Sequence, residues 1–90
     1  MIPDKINICG LSHTIKLVED SFDLDTHFGQ ISYASNEIVI NKNMPEQMQM
    51  LTLCHEWLHG AMTILGFHEQ NEEAFVTAMA NAIYQTFIPK

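Results

Sequence analysis

The segment EIVINKNMPEQMQMLTLCHEWLHGAMTIL, residues 37–65, contains the change of periodicity that sets the fold. Its opening, Glu37-Ile38-Val39-Ile40-Asn41, is β-branched at the centre and reads as a strand. Beyond it the apolar residues switch to helical spacing. Met48, Leu51, Leu58, Met62 and Leu65 form one stripe, on which His55 also falls. Met50, Leu53, Cys54, Trp57, Ala61 and Ile64 form a second stripe. The remaining strip, Gln49, Thr52, Glu56, Gly60 and Thr63, is polar or small. A helix this apolar is expected to be central, covered by a sheet on one side and by another element elsewhere. Asn43 is the expected N-cap, Pro45 and Glu46 suit the first turn, and Gly66 suits the stop.

Upstream the period is two. Lys5–Cys9 alternates and is broken by Gly10, and His13–Glu19 alternates again. Asp20–His27 is polar and turn-rich. Gly29–Tyr33, the turn-like Ala34-Ser35-Asn36 and Glu37–Asn41 make a hairpin. Downstream, Glu72 or Glu73 opens a second helix running to about Phe87, with Pro89 beyond its end. The expected fold class is therefore α+β. An N-terminal antiparallel sheet of about four short strands precedes two helices, in a single domain spanning residues 1–90.

A hydrophobic content of 47% supplies a core. A net charge of −7, with only four Lys and Arg, argues against nucleic acid and against an anionic membrane as partners. No stretch approaches the roughly 18 apolar residues of a membrane span. The N-terminal residues lack the basic start and long apolar run of a signal peptide, so a cytoplasmic location is expected. Cys9 and Cys54 are expected as buried free thiols of a reducing compartment.

The chemistry concentrates in His55-Glu56-Trp57-Leu58-His59. Positions i and i+4 share one helical face, so His55 and His59 can aim two imidazoles at one Zn2+ ion. Glu56 follows the first ligand and is suited to act as general base on a water in the open position. It belongs to the polar strip, where Gly60 one turn on is expected to leave space beside it. A catalytic zinc takes a third protein ligand, and His68, Glu69, Glu72 and Glu73 are the candidates. The extended motif with a third histidine fails, because Met62 and Leu65 occupy its positions. Spacing leaves the choice between Glu72 and Glu73 open. Cys54 points about 100° away from His55 around the helix and is not expected to share the metal. His13 and His27 are expected at the surface or at strand ends. The methionines are expected mostly as core fillers, and Trp57 as packing.

The run from Thr52 to Gly60, followed by Asn71-Glu72-Glu73-Ala74-Phe75-Val76 and Met79-Ala80-Asn81-Ala82-Ile83-Tyr84-Gln85, resembles the small phage- and prophage-associated zincin-like proteins, distant relatives of the ImmA/IrrE-type metallopeptidases. The likeness covers nearly the whole chain, and its HExxH segment is the specific part. It implies a minimal gluzincin arrangement, in which a small sheet and an HExxH helix are completed by a glutamate from the next helix. Glu73 matches that ligand best and Glu72 is the alternative. Larger metallopeptidases of this kind carry further segments that shape the cleft, for which this chain has no room. The expected function is zinc-dependent hydrolysis of a peptide or protein substrate, with an exposed strand such as Glu37–Asn41 pairing with the extended peptide. The alternative is a zinc-stabilised binding or regulatory module without protease activity.

Overall fold

The computed structural model describes residues 2–19, 28–67 and 72–87. Four strands, β1 (Lys5–Ile8), β2 (Leu11–Val18), β3 (Gly29–Ser32) and β4 (Glu37–Asn41), are followed by α1 (Glu46–Leu65) and α2 (Glu73–Phe87). The α+β class, the sheet-then-helices order and the position of the motif on the first helix are as the periodicity implies.

The sheet is mixed rather than wholly antiparallel. Its order is β1-β2-β4-β3; β1–β2 and β3–β4 are antiparallel, and β2–β4 is parallel. Strand composition accounts for the difference. Ile38 and Ile40 of β4 are fully buried, so β4 belongs in the middle, where both of its ladders are satisfied. The Gly-Gln-Ile-Ser sequence of β3 carries less apolar surface and occupies an edge. This placement also corrects the expectation that Glu37–Asn41 offers a free edge: β4 is paired on both sides, and β3 and β1 are the edges.

The β1–β2 turn places Cys9 and Gly10 at positive φ, 52° and 92°. That is the signature of a two-residue turn whose twist matches the flanking strands. Cys9 is consequently exposed rather than buried, and Cys54 is half-buried; both are free thiols. The α1 N-cap is Pro45, not Asn43. The Asn43 N–H instead donates to Oδ1 of Asn41 at 2.9 Å, and the Gln49 side chain donates to the carbonyls of Lys42 and Met44, fixing the approach to the helix. At the other end Gly66 adopts the left-handed conformation at φ 82°. The N–H groups of Gly66 and Phe67 close onto the carbonyls of Thr63 and Met62.

Ile8, Ile15, Ile38, Ile40, Leu53 and Ala61 form the core, flanked by Ile2, Ile6, Ile31, Met44 and Trp57. Each buried isoleucine contributes about 1.5–3 kcal/mol relative to exposure. The helix face that meets the sheet is not one of the two apolar stripes alone. The buried residues of α1 are Thr52, Leu53, Glu56, Gly60 and Ala61, so most of the strip that reads as solvent-facing lies against the sheet. Size explains this better than polarity. A Cβ on Gly60 would stand 2.9 Å from Cδ1 of Ile31 and 3.0 Å from Cδ1 of Ile8, so the space beside Gly60 is occupied by the sheet. The small residues let helix and sheet approach closely.

His13 is a further correction. It is 1% exposed, on the same face of β2 as buried Ile15, and its Nδ1 lies 3.0 Å from the Leu11 carbonyl, which satisfies it locally. His27 lies outside the described residues. Among the methionines, Met44, Met48, Met50 and Met62 are half-buried, whereas Met79 is exposed. Helix α2 packs against α1 alone among the described elements, and only Val76 and Ala80 of it are buried. No helix among the described residues is long and apolar enough to cross a membrane.

Candidate metal centre

Helix α1 positions both histidines of the motif. Its i, i+4 geometry sets the rings with centroids 4.8 Å apart, and the two Nε2 atoms lie 3.1 Å from each other. The first residue of α2 completes the group: Oε1 of Glu73 is 3.0 Å from Nε2 of His55, and Oε2 is 2.8 Å from Nε2 of His59. Among the described residues, His55, His59 and Glu73 are the one set of three whose donor atoms converge enough to hold a metal ion. Glu72 lies just before α2 and its carbonyl accepts the N–H of Val76, so it serves the helix start. His68 and Glu69 lie outside the described residues. Cys54 is not part of the group.

Three close contacts among these side chains cannot all be hydrogen bonds. Each Nε2 carries at most one hydrogen. If both imidazoles donate to Glu73, the 3.1 Å nitrogen–nitrogen contact has no proton. If one imidazole donates to the other, an acceptor nitrogen faces a carboxylate oxygen. A cation at the centre removes the conflict, because all three groups then present lone pairs to it. Tetrahedral ligands at about 2.0–2.2 Å from Zn2+ stand about 3.3–3.6 Å apart. The observed triangle is a few tenths of an ångström tighter, a difference that small side-chain rotations close. Two imidazoles and one carboxylate are a donor set suited to zinc.

The electrostatics agree with a ligand role for His55. Burial, and secondarily the neighbouring His59, hold its pKa below the ordinary histidine value against the opposing pull of Glu73. The ring therefore stays neutral, with its lone pair available, to lower pH than a free histidine. Burial also raises the Cys54 thiol, keeping it protonated beside the site.

Glu56 is 8% exposed, yet it lines both of the recesses that border the His55, His59 and Glu73 group. One is an apolar recess of about 350 Å³ with Phe28, Met48, Leu51 and Ala80 in its walls. The other, about 480 Å³, follows the edge strand and is walled by Gln30, Ile31 and Tyr33. His55, Glu56, Glu73 and Gly29 are common to both. Thus the carboxylate is neither on a solvated surface nor sealed in the core. It sits where the sheet-facing side of α1 opens into the cleft.

Two contributors escape a reading of the sequence. A Cβ on Gly29 would stand 2.6 Å from Cγ2 of Thr52, 3.0 Å from the Val39 carbonyl oxygen and 3.6 Å from Cγ of Glu56, so the missing side chain makes room for the motif helix. The signal was present, since a glycine inside a strand marks a close approach. Tyr33 carried no comparable signal. No family model, no curated protein and no solved structure matches the chain.

Proposed function

We propose that the protein is a zinc-dependent peptidase of minimal gluzincin type, with His55, His59 and Glu73 as metal ligands and Glu56 as general base. The observation that carries this reading is the convergence of the three ligands beside a recessed carboxylate in an open cleft. The zincin-like resemblance of residues 52–85 belongs to the same proposal.

When bound, Zn2+ supplies Lewis acidity, polarising a carbonyl and acidifying a water. The protein supplies the rest. Glu56 takes the proton of the attacking water and passes it to the leaving amine nitrogen. The recess around Glu56 limits competing solvent and strengthens its electrostatic influence on the reacting groups. Edge strand β3 runs beside the ligands, and its outer edge, unpaired among the described strands, offers backbone groups to an extended peptide. The recess walled by Phe28, Met48, Leu51 and Ala80 accepts an apolar side chain next to the bond that is cut.

The test pairs zinc stoichiometry with hydrolysis of a broad fluorogenic peptide library for the wild type and Glu56→Gln. One zinc per chain in both proteins is expected. Library cleavage should be present in the wild type and reduced by at least about 10²-fold in the variant, the scale of a positioned proton-transfer group. One zinc without any Glu56-dependent cleavage would refute the peptidase and favour the zinc-stabilised binding module.

A further inference from the structure

We propose that Tyr33 is a catalytic residue of this site, stabilising the oxyanion by donating its phenolic hydrogen across the side of the cleft that β3 borders. The inference rests on the zinc-peptidase reading and deepens it. When the water oxygen bonds to the peptide carbon, the carbonyl π electrons move onto its oxygen. The water's proton goes to Glu56, and later to the amine as the carbon–nitrogen bond breaks. Beyond the Lewis acidity that bound zinc would supply, a preorganised donor facing the oxygen stabilises its negative charge further.

The chain has few described groups able to serve. It has no arginine, and its lysines are residues 5, 16, 42 and 90. Lys5 and Lys16 lie on the sheet face opposite that of Ile15 and Ile38, where Lys16 pairs with Glu37 at 2.9 Å. Lys42 stands near Glu19 at 3.9 Å. Gln30 borders the same side of the cleft but is exposed, and strand alternation directs its side chain to the face opposite that of Ile31. Tyr33 lies immediately after β3 and lines the cleft together with His55, Glu56, His59 and Glu73.

Its hydroxyl is held in place. Oγ1 of Thr63 donates to the phenolic oxygen at 3.1 Å. Thr63 is four residues after His59, on the same face of α1, which sets the tether one helical turn, about 5.4 Å along the axis, from a metal ligand. One hydrogen suffices for that bond, so with Thr63 as its donor the hydrogen of Tyr33 is available for a second partner. Tyr33 is 45% exposed and lines the cleft. Thr63 is accordingly a positioning residue, acting through Tyr33.

The test uses the zinc-loaded full chain and a phosphinic pseudo-tetrapeptide with leucine side chains, whose tetrahedral anionic phosphoryl group stands in for the oxyanion. Calorimetry on Tyr33→Phe is expected to show affinity for this probe reduced about tenfold to a hundredfold, with zinc stoichiometry and affinity unchanged. In peptide hydrolysis kcat should fall while KM holds. Thr63→Val should weaken probe binding less, and add nothing on top of Tyr33→Phe, because both changes act on one contact. Equal probe affinity in wild type and Tyr33→Phe overturns the assignment, as does a zinc-loaded wild type that does not bind the probe. Both results leave the peptidase reading to be judged by Glu56-dependent cleavage. Tyr33-dependent probe binding without that cleavage supports the contact and refutes the reading.

Discussion

Glu72 and Glu73 are neighbours in the chain with different structural positions. Glu73 opens α2 with its carboxylate between two imidazoles, whereas Glu72 contributes its carbonyl to the first turn. Sequence spacing could not separate them, since the choice depends on how α2 is rotated against α1. The difference predicts unequal zinc affinities, measured by competition with a chromophoric chelator. Glu73→Gln should weaken binding by more than the roughly 10–100-fold typical of losing an outer-shell partner. Glu72→Gln should stay within about twofold, as expected of an outer carboxylate that holds no ligand in place. His55 supplies a pH prediction. Its folded pKa lies below the unfolded value because burial and His59 penalise the imidazolium. As pH falls, the unfolded chain binds the proton first, so this group's contribution is present above about pH 6.5 and is lost below it. The Tm of the metal-free protein should therefore decline as pH is lowered from about 7.5 to about 5.5, and less steeply in His55→Asn. Equal slopes in the two proteins would rule out His55 as the source.

At the level of elements, helix and sheet meet through two glycines with different tolerances. A methyl on Gly60 would meet the side-chain tips of Ile31 and Ile8, which can rotate, and alanine gains about 0.8–1 kcal/mol of helix propensity. A methyl on Gly29 would meet the stiff β-branched Thr52 at 2.6 Å and a backbone carbonyl at 3.0 Å. Gly29→Ala should therefore cost about 1–3 kcal/mol, the scale of overpacking, and Gly60→Ala distinctly less. Thr52→Ser, which deletes the closest methyl, should restore part of the loss in the Gly29→Ala background. Urea unfolding of the four proteins checks the ordering. The same contact shows what the sequence conveyed. Period-two and helical patterns located every described element to within about two residues, as local signals do. The placement of β4 between β2 and β3 escaped them because pairing is non-local. The sheet-facing side of α1 escaped them because Thr52, Glu56 and Gly60 read as polar, whereas the small size of Thr52 and Gly60 and the cleft beside Glu56 determine the packing. The motif made His55, Glu56 and His59 visible as candidates; the packing of α2 on α1 brings Glu73 to the histidines.

For the molecule as a whole, the proposed metal joins two parts of unequal attachment. The sheet and α1 share the isoleucine core, while among the described residues α2 rests on α1 alone and buries only Val76 and Ala80. An apolar helix held by so little burial is expected to open at lower free energy than the core strands. Its first residue is Glu73, so zinc bound between Glu73 and the α1 histidines would tie α2 down at its N-terminal end. At free zinc about a hundredfold above Kd, stabilisation should reach about 2.7 kcal/mol, corresponding to roughly 10–20 °C in Tm for a domain of this size. The distribution of that gain is the sharper prediction. In metal-free protein the α2 amides should exchange well before those of β2 and β4, and zinc should slow α2 most. Glu73→Gln should remove that selective protection even at zinc concentrations that saturate the remaining ligands, since two imidazoles on one helix cannot restrain its neighbour. Hydrogen exchange read by mass spectrometry on peptides from α2 and β4 measures both effects. Uniform protection of sheet and helix by zinc would mean that α2 is already part of the cooperative core without the metal.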